Sequence, residues 1–353
     1  MKKWRVAGIN FDQLHMEQLL RLVGGDMRAE LVGLCDDMPE RMAPAASEHG
    51  VPADALFTDV DECMTRTRPD LVILCPAAGR RVELVEKIAK YDCAVILDKP
   101  FAVSVEQARR MVELLGSERT FVVNWPLGFY PEHRLAKETI DRGVIGNVRE
   151  VHYFGGNRGP IYVREGDERD ATPEEKAQSW WYGIESGGSL MDYLGYGVTL
   201  GAWFMDCRLP EDVMTVTDAA SPSQVDEHSV TVARFKGGIS TYRTRWGTIT
   251  DPWLIQTQPK SGFIVVGEKG TIASYDYEGG IHVQTRREPQ PVWLAADEAT
   301  VPRLNIVQYM IDCLANGQGV TGPCSAKISL VGQQVMDAAK RSAREGKAVS
   351  PKG

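Results

Sequence analysis

The sequence predicts an α/β protein in two parts. The first is a doubly wound parallel sheet. The second is an α/β domain with a large, open, mostly antiparallel sheet. Three observations carry this expectation. Up to about residue 124, near-continuous apolar runs ("WRVAGI", "DLVILCP", "CAVILDKP") alternate with stretches whose apolar residues recur at helical spacing, the pattern of strands covered on both faces. Beyond it, long stretches alternate apolar and polar residues and are broken by Gly-Gly and Glu-Gly: "VREVHYFGG", "SVTVARFKGGISTYRTRW", "GFIVVGEKGTIASYDYEGGIHVQ". That period of two marks half-buried antiparallel strands. Between them lies "GGSLMDYLGYGVTLGAWFM", an apolar helical run carrying Gly195, Gly197 and Gly201.

In order, strand "WRVAGI" leads to a helix over "DQLHMEQLLRLV". Strand "AELVGLCD" precedes a helix from Pro39 to about Gly50, with proline suited to a first helical turn. "DLVILCP" precedes the helix "RRVELVEKIAKY". "CAVILDKP" precedes the helix "SVEQARRMVELL", with Ser104 as its cap. "TFVVNW" closes the series. The expected division is a first domain at 1–124 and a second at 125–353. The second opens on the helix "PEHRLAKETIDRG" and closes on one ending at Gly346, while "RREPQP" at 286–291 reads as a loop.

At 353 residues the chain is long enough for two domains. The net charge of −8 argues against nucleic acid. No run approaches the ~20 apolar residues of a membrane span, and Arg5 interrupts the signal-like start at Lys2 and Lys3. A cytoplasmic location follows as an expectation. The cysteines at 35, 63, 75, 93, 207, 313 and 324 form no C-x-x-C, and the histidines no metal-binding spacing, so no metal is expected.

In a doubly wound sheet the first strand–helix turn faces a pyrophosphate. Three glycines in G-x-G-x-x-G usually build it; here the positions are Gly8, Asn10 and Gln13. Asn10 is a tolerable substitute because asparagine enters left-handed conformations. Gln13 is less so, and Asp12 would repel phosphate unless turned away, so an ordinary turn remains open. Phe11 lies in the same loop. Asp36, the first polar residue after the second strand, is placed to accept the adenosine ribose hydroxyls, with Asp37 as the alternative. An acid there favours NAD over NADP; Arg41 blurs the preference.

At "VILDKPFAVSVEQARRMVE" the chain resembles the Gfo/Idh/MocA family of nicotinamide-dependent sugar and inositol oxidoreductases. Asp98-Lys99-Pro100 stands for the family's Glu-Lys-Pro, "PDLVILCP" and "IDRGVIGNVREV" match its flow, and "GGSLMDYLGYGVTL" matches its catalytic helix. The resemblance implies an NAD(P)-binding Rossmann domain with Gly8, Asn10, Phe11, Asp36, Cys75, Pro76, Asp98, Lys99 and Pro100 on the cofactor. It implies hydride transfer between NAD and a sugar, polyol or derivative, and a homodimer or homotetramer. Lys99, Asp192 and Tyr196 would be catalytic. Arg81 stands where a histidine is frequent, and Tyr196 replaces a histidine as in members resembling glucose–fructose oxidoreductase and dihydrodiol dehydrogenase.

Tyr196 would take the substrate proton, with Lys99 favouring the phenolate and Asp192, one turn earlier, orienting Lys99 or a sugar hydroxyl. Trp125, Tyr130, Trp180, Trp181 and Tyr182 are candidate walls of the sugar site, and Arg158 and Arg81 candidate hydroxyl or acid binders. Two alternatives stay open: redox-neutral, NAD-dependent glycoside processing, and a non-catalytic NAD- or sugar-sensing regulator.

Overall fold

A computed structural model describes residues 2–116, 119–157, 159, 162–164, 167–169, 172–184, 187–220, 224–247, 261–275, 278–296 and 304–352. They form two compact units. The first comprises residues 1–126 with 304–329; the second comprises 127–303 with 330–353.

The first unit is built on strands β1 (Trp4–Ile9), β2 (Ala29–Cys35), β3 (Leu56–Phe57), β4 (Leu71–Leu74), β5 (Ala94–Asp98) and β6 (Phe121–Asn124). Their order is β3-β2-β1-β4-β5-β6, and every pair is parallel. This is the doubly wound order, with its reversal point between β1 and β4. Helices α1 (His15–Gly24), α2 (Pro39–His49), α3 (Val60–Thr67), α4 (Arg81–Ile88) and α5 (Val105–Leu115) connect the strands. Burial follows the sequence pattern. β4 and β5 are buried along their whole length, whereas α1 buries only Met16, Leu19, Leu20 and Val23. The Ser104 side chain accepts the Gln107 N–H at 3.3 Å, so the expected cap is formed.

The second unit begins with α6 (Pro131–Asp141). Its main sheet has eight strands: β7 (Val148–Gly156), β10 (Asp212–Thr217), β11 (His228–Phe235), β12 (Gly238–Arg245), β13 (Gly262–Gly267), β14 (Gly270–Tyr275), β15 (Gly280–Thr285) and β16 (Val292–Ala295). The order is β10-β11-β12-β7-β13-β14-β15-β16. Only β12 and β7 run parallel. Strands β8 (Tyr162–Arg164) and β9 (Asp167–Arg169) form a separate ribbon. α7 (Pro173–Gln178) follows it, and α8 (Ser189–Phe204) is the glycine-rich helix.

α8 lies close on the sheet because Gly197 has no side chain. A Cβ there would stand 2.6 Å from Tyr153 of β7 and 2.9 Å from Tyr242 of β12, inside any real carbon contact. Met191, Leu194, Val198 and Phe204 of α8 join Val151, Phe263 and Val265 in this unit's core.

Two helices complete the chain: α9 (Ile306–Asn316) and α10 (Ala326–Glu345). α9 corrects the contiguous division expected at 124/125. Asp312 pairs with Arg28 at 2.5 Å, and the Cys324 carbonyl accepts the Val123 N–H at 3.0 Å, so residues 304–329 return to the first unit. These bonds join residues hundreds of positions apart, which no local periodicity reveals. α10 gives Val335, Met336, Ala338 and Ala339 to the second unit's core. Among the described residues no helix is long and apolar enough to cross a membrane.

Candidate active site

The first unit's candidate residues gather at the carboxyl ends of β1, β2, β4 and β5. Asn10 follows β1 with φ of +67°, the left-handed conformation expected of a glycine substitute. Its side-chain oxygen accepts the Asp12 N–H at 3.0 Å, an Asx turn that shapes the loop. Gly8 is needed for packing rather than for φ. A Cβ there would crowd Met16, Leu20 and Leu34 at 3.1–3.3 Å. α1 then starts at His15 without a side-chain cap, its Met16 N–H donating to the Gln13 carbonyl at 3.2 Å; the positive end of its dipole favours an anion. Gln13 is buried, and its Nε2 finds no partner among the described residues. A buried donor left unmet is costly. An uncapped helix start and an orphaned donor in one turn fit a dinucleotide phosphate.

Asp36 takes another part than the one expected. Its side chain is fully buried. Oδ2 accepts the Phe11 N–H at 2.7 Å and Oδ1 the Met38 N–H at 2.8 Å. Burial raises its pKa, opposed by these two N–H donors and by Arg41. Asp36 therefore ties the loop to the β2 end rather than offering an open carboxylate to ribose hydroxyls. Asp37, the alternative, is half exposed and pairs with Arg80 at 2.9 Å. Asp12 does turn away, but it does not cap α1. It pairs with Arg41 at 2.5 Å and accepts the Ala77 N–H at 3.1 Å.

At the end of β5, Asp98 is wholly buried. The His15 Nδ1–H donates to it at 2.8 Å and the Asn124 side-chain amide at 3.0 Å. Burial alone would raise its pKa; His15, Arg81 and Lys99 outweigh that and hold it low. Asp98 thus acts through its charge, with both oxygens already taken, and not as an open contact to a cofactor. Lys99 follows, 7% exposed, with a cis peptide bond to Pro100.

Arg81 is fully buried and is not a surface binder of substrate. Its guanidinium donates to the Lys99 carbonyl at 2.8 Å and to the Pro76 carbonyl at 3.2 Å. It thereby clamps the β4 and β5 turns together. Burial pushes it down to about 10, with Asp98 opposing. Cys75 is buried, and burial raises its thiol pKa far above the ordinary value; its carbonyl accepts the Gln13 N–H at 3.2 Å. Trp125 is 2% exposed and belongs to the core, not to a binding wall.

In the second unit, the Gly187-Gly188 pair sets the start of α8. A Cβ on Gly187 would strike the Trp181 carbonyl at 2.1 Å, and Gly188 has φ of +92°. The Gly188 N–H donates to that same carbonyl at 2.9 Å. Asp226, buried, caps the helix by accepting the Ser189 hydroxyl at 2.6 Å and the Leu190 N–H at 2.9 Å. On α8, Asp192 accepts the Trp246 indole N–H at 3.0 Å. Tyr193 and Tyr196 stack with centroids 5.6 Å apart, and Tyr196 packs partly buried against the core.

Tyr182 lies 5.8 Å from the Trp246 ring and carries the Lys176 ammonium 4.9 Å above its own. Trp181 is half-buried. Tyr130 packs on the core beside His133. Arg158 and the Trp180 side chain lie outside the described residues. The structure thus brings Asp192, Trp246 and Tyr182 into one cluster. Trp246 was missed by sequence reasoning, as was His15, although His15 opens the first turn of α1. Each acts on a partner more than 50 positions away, which leaves no local signal.

Residues 2–124 match the oxidoreductase family with an NAD-binding Rossmann fold, and residues 133–273 match the Gfo/Idh/MocA C-terminal domain. A putative oxidoreductase of Bacillus subtilis, YteT, is 32% identical over 171 residues, 44% of this chain and 40% of that protein. The chain thus spans about two fifths of the length of that relative. Inositol 2-dehydrogenase of Rubrobacter xylanophilus is 24% identical over 316 residues, 88% of this chain and 82% of that enzyme. An oxidoreductase from Agrobacterium radiobacter, solved with NAD+, L-tartaric acid and magnesium, superposes with a TM-score of 0.78 over 99% of both chains at 17% identity, a likeness of fold. With both domains matched in order, the chain belongs to the Gfo/Idh/MocA oxidoreductase family, whose nucleotide-binding domain is a Rossmann fold for NAD.

Proposed function

We propose that this chain is an NAD-dependent oxidoreductase that oxidises a secondary hydroxyl of a sugar, polyol or sugar derivative, or reduces the matching ketone. The observation that carries the reading is Lys99. A lysine with 7% exposure stands at the carboxyl edge of a doubly wound sheet, where such sheets bind ligands. It follows a buried carboxylate held ionised, and its own carbonyl is fixed by Arg81. A buried lysine carrying this much supporting structure is suited to a fixed chemical task.

Bound NAD would supply the hydride-accepting chemistry. The chain's own residues manage the proton and the orientation. Lys99 donates to the reacting oxygen and favours its charged form. Tyr196 exchanges the hydroxyl proton as acid and base. Asp192, anchored by Trp246, orients a neighbouring hydroxyl, and Tyr182 offers an aromatic face to sugar C–H groups.

The test is a panel of aldoses, inositols and polyols with NAD+, followed by the absorbance of NADH. The reading expects NADH to accumulate with at least one of them. Tyr196→Phe, which keeps the packed ring, is expected to cut that rate by roughly 10²–10⁴-fold and to remove the phenol limb of the pH–rate profile. Glycoside cleavage without net NADH would favour the redox-neutral reading. NAD binding with no turnover on any substrate would favour a sensing protein.

A further inference from the structure

We infer that Asp12 is a specificity-determining residue: by occupying Arg41 and Arg80 it keeps both arginines from accepting an adenosine 2′-phosphate, and so holds the chain to NAD. The inference rests on the dinucleotide-binding reading of the first unit. Asp12 lies in the turn between β1 and α1, with a side chain 11% exposed. Its Oδ1 pairs with Arg41 Nη1 at 2.5 Å, and its Oδ2 lies 3.5 Å from Arg80 Nη1. Arg80 also donates to Asp37 at 2.9 Å. Arg41 lies 3.9 Å from Asp36.

Two guanidinium groups, each about one-third exposed, therefore face three carboxylates around the end of β2. In this strand order that end meets the adenosine ribose, and an arginine there receives a 2′-phosphate. The arginines are in the right place for it, and Asp12 is what engages them both. A 2′-phosphate would bring roughly two more negative charges to a cluster already one charge negative. The ribose hydroxyls of NAD bring none. Without the Asp12 charge, two arginines face two carboxylates, and Arg41 is left with Asp36 at 3.9 Å and the charge of Asp37. A guanidinium fork freed in this way matches a phosphate bidentately.

The rival explanation is that Asp12 merely braces the loop through the Ala77 N–H. Asp12→Asn separates the two, because asparagine keeps an acceptor oxygen for that N–H and loses the charge. Calorimetry on the full chain would titrate NAD+, NADP+, AMP and adenosine 2′,5′-bisphosphate. Wild type is expected to prefer NAD+ over NADP+ by at least about tenfold, the factor one charge-assisted bond is worth. Asp12→Asn is expected to shift that ratio toward NADP+ by about tenfold or more, with a matching gain for the bisphosphate over AMP. Adding Arg41→Gln should abolish the gain. Asp12→Ser, which also keeps an acceptor, carries the same expectation should the asparagine variant fold poorly.

A folded variant whose NAD+/NADP+ ratio is unmoved overturns the inference, as does a wild type that binds the two equally. If wild type binds NAD+ and only the ratio fails to move, the dinucleotide-binding reading survives. If it binds neither, both fall.

Discussion

Two aspartates end two strands of the same parallel sheet, and both are buried, yet they behave oppositely. Asp36, after β2, accepts from two backbone N–H groups, has Arg41 at 3.9 Å and the Asp37 carboxyl beside it, and burial pushes its pKa up. Asp98, ending β5, is buried at least as deeply, but His15, Arg81 and Lys99 hold its pKa down. Burial raises the pKa in both places; the surrounding charge decides which way the group finally moves. The difference assigns the roles. The β2 end uses a carboxylate as a fastener for the β1–α1 loop. The β5 end uses one as a fixed negative charge that steadies a cluster of cations around Lys99.

The largest expected effect lies at Asp98. Asp98→Asn removes the carboxylate that accepts from His15 and Asn124 and whose charge acts on the fully buried Arg81 without a direct bond, and leaving buried positive charge uncompensated costs about 3–5 kcal/mol. Urea denaturation measures it. An unchanged midpoint would mean that the cations are balanced elsewhere.

The pH dependence has a definite sign. A carboxyl whose folded-state pKa is depressed contributes stability above its unfolded value, and that stability is lost as pH falls through the folded one. Wild type should therefore lose the Asp98 contribution on acidification below about pH 4, and Asp98→Asn should lack that component. Asp36 works the other way. With its pKa raised, its ionised form costs the folded state, and protonation relieves that cost as pH falls. Thermal melts of wild type and both asparagine variants between about pH 2 and about pH 7, which brackets the ordinary carboxylate values, would separate the two contributions.

A smaller effect is expected at Asp36. Asparagine has one acceptor oxygen where two N–H groups need one each, so Asp36→Asn should cost about 1–3 kcal/mol. A stability equal to wild type would reopen Asp36 as a ribose ligand. The smallest is at Asp37, half exposed with its Arg80 partner at the surface. Asp37→Asn should change stability by no more than about 0.5 kcal/mol.

The same contrast shows what the sequence makes legible. Both sheets, the glycine-rich helix and the Asp98-Lys99-Pro100 turn follow from local patterns, because periodicity, caps and turns act over a few residues. Asn10 in left-handed conformation was readable from residue type alone. The use of Asp36, Trp125 and Arg81 was not. Each was expected at a ligand surface, and each is buried by contacts from remote segments. Pairings such as His15 with Asp98, Trp246 with Asp192 and Asp12 with Arg41 exist only once the strands are ordered in space. A sequence shows which groups are present, but not which of them neutralise one another.

The most direct test of the central claim is Lys99→Met, assayed for both turnover and NAD+ binding. Methionine keeps the length and apolar stem and removes the ammonium. On a substrate found with wild type, turnover should fall by at least roughly 10²-fold, while calorimetric NAD+ affinity stays within about threefold, as the proposed role of the lysine on the reacting oxygen requires. A folded Lys99→Met protein that turns over at near the wild-type rate would contradict the account.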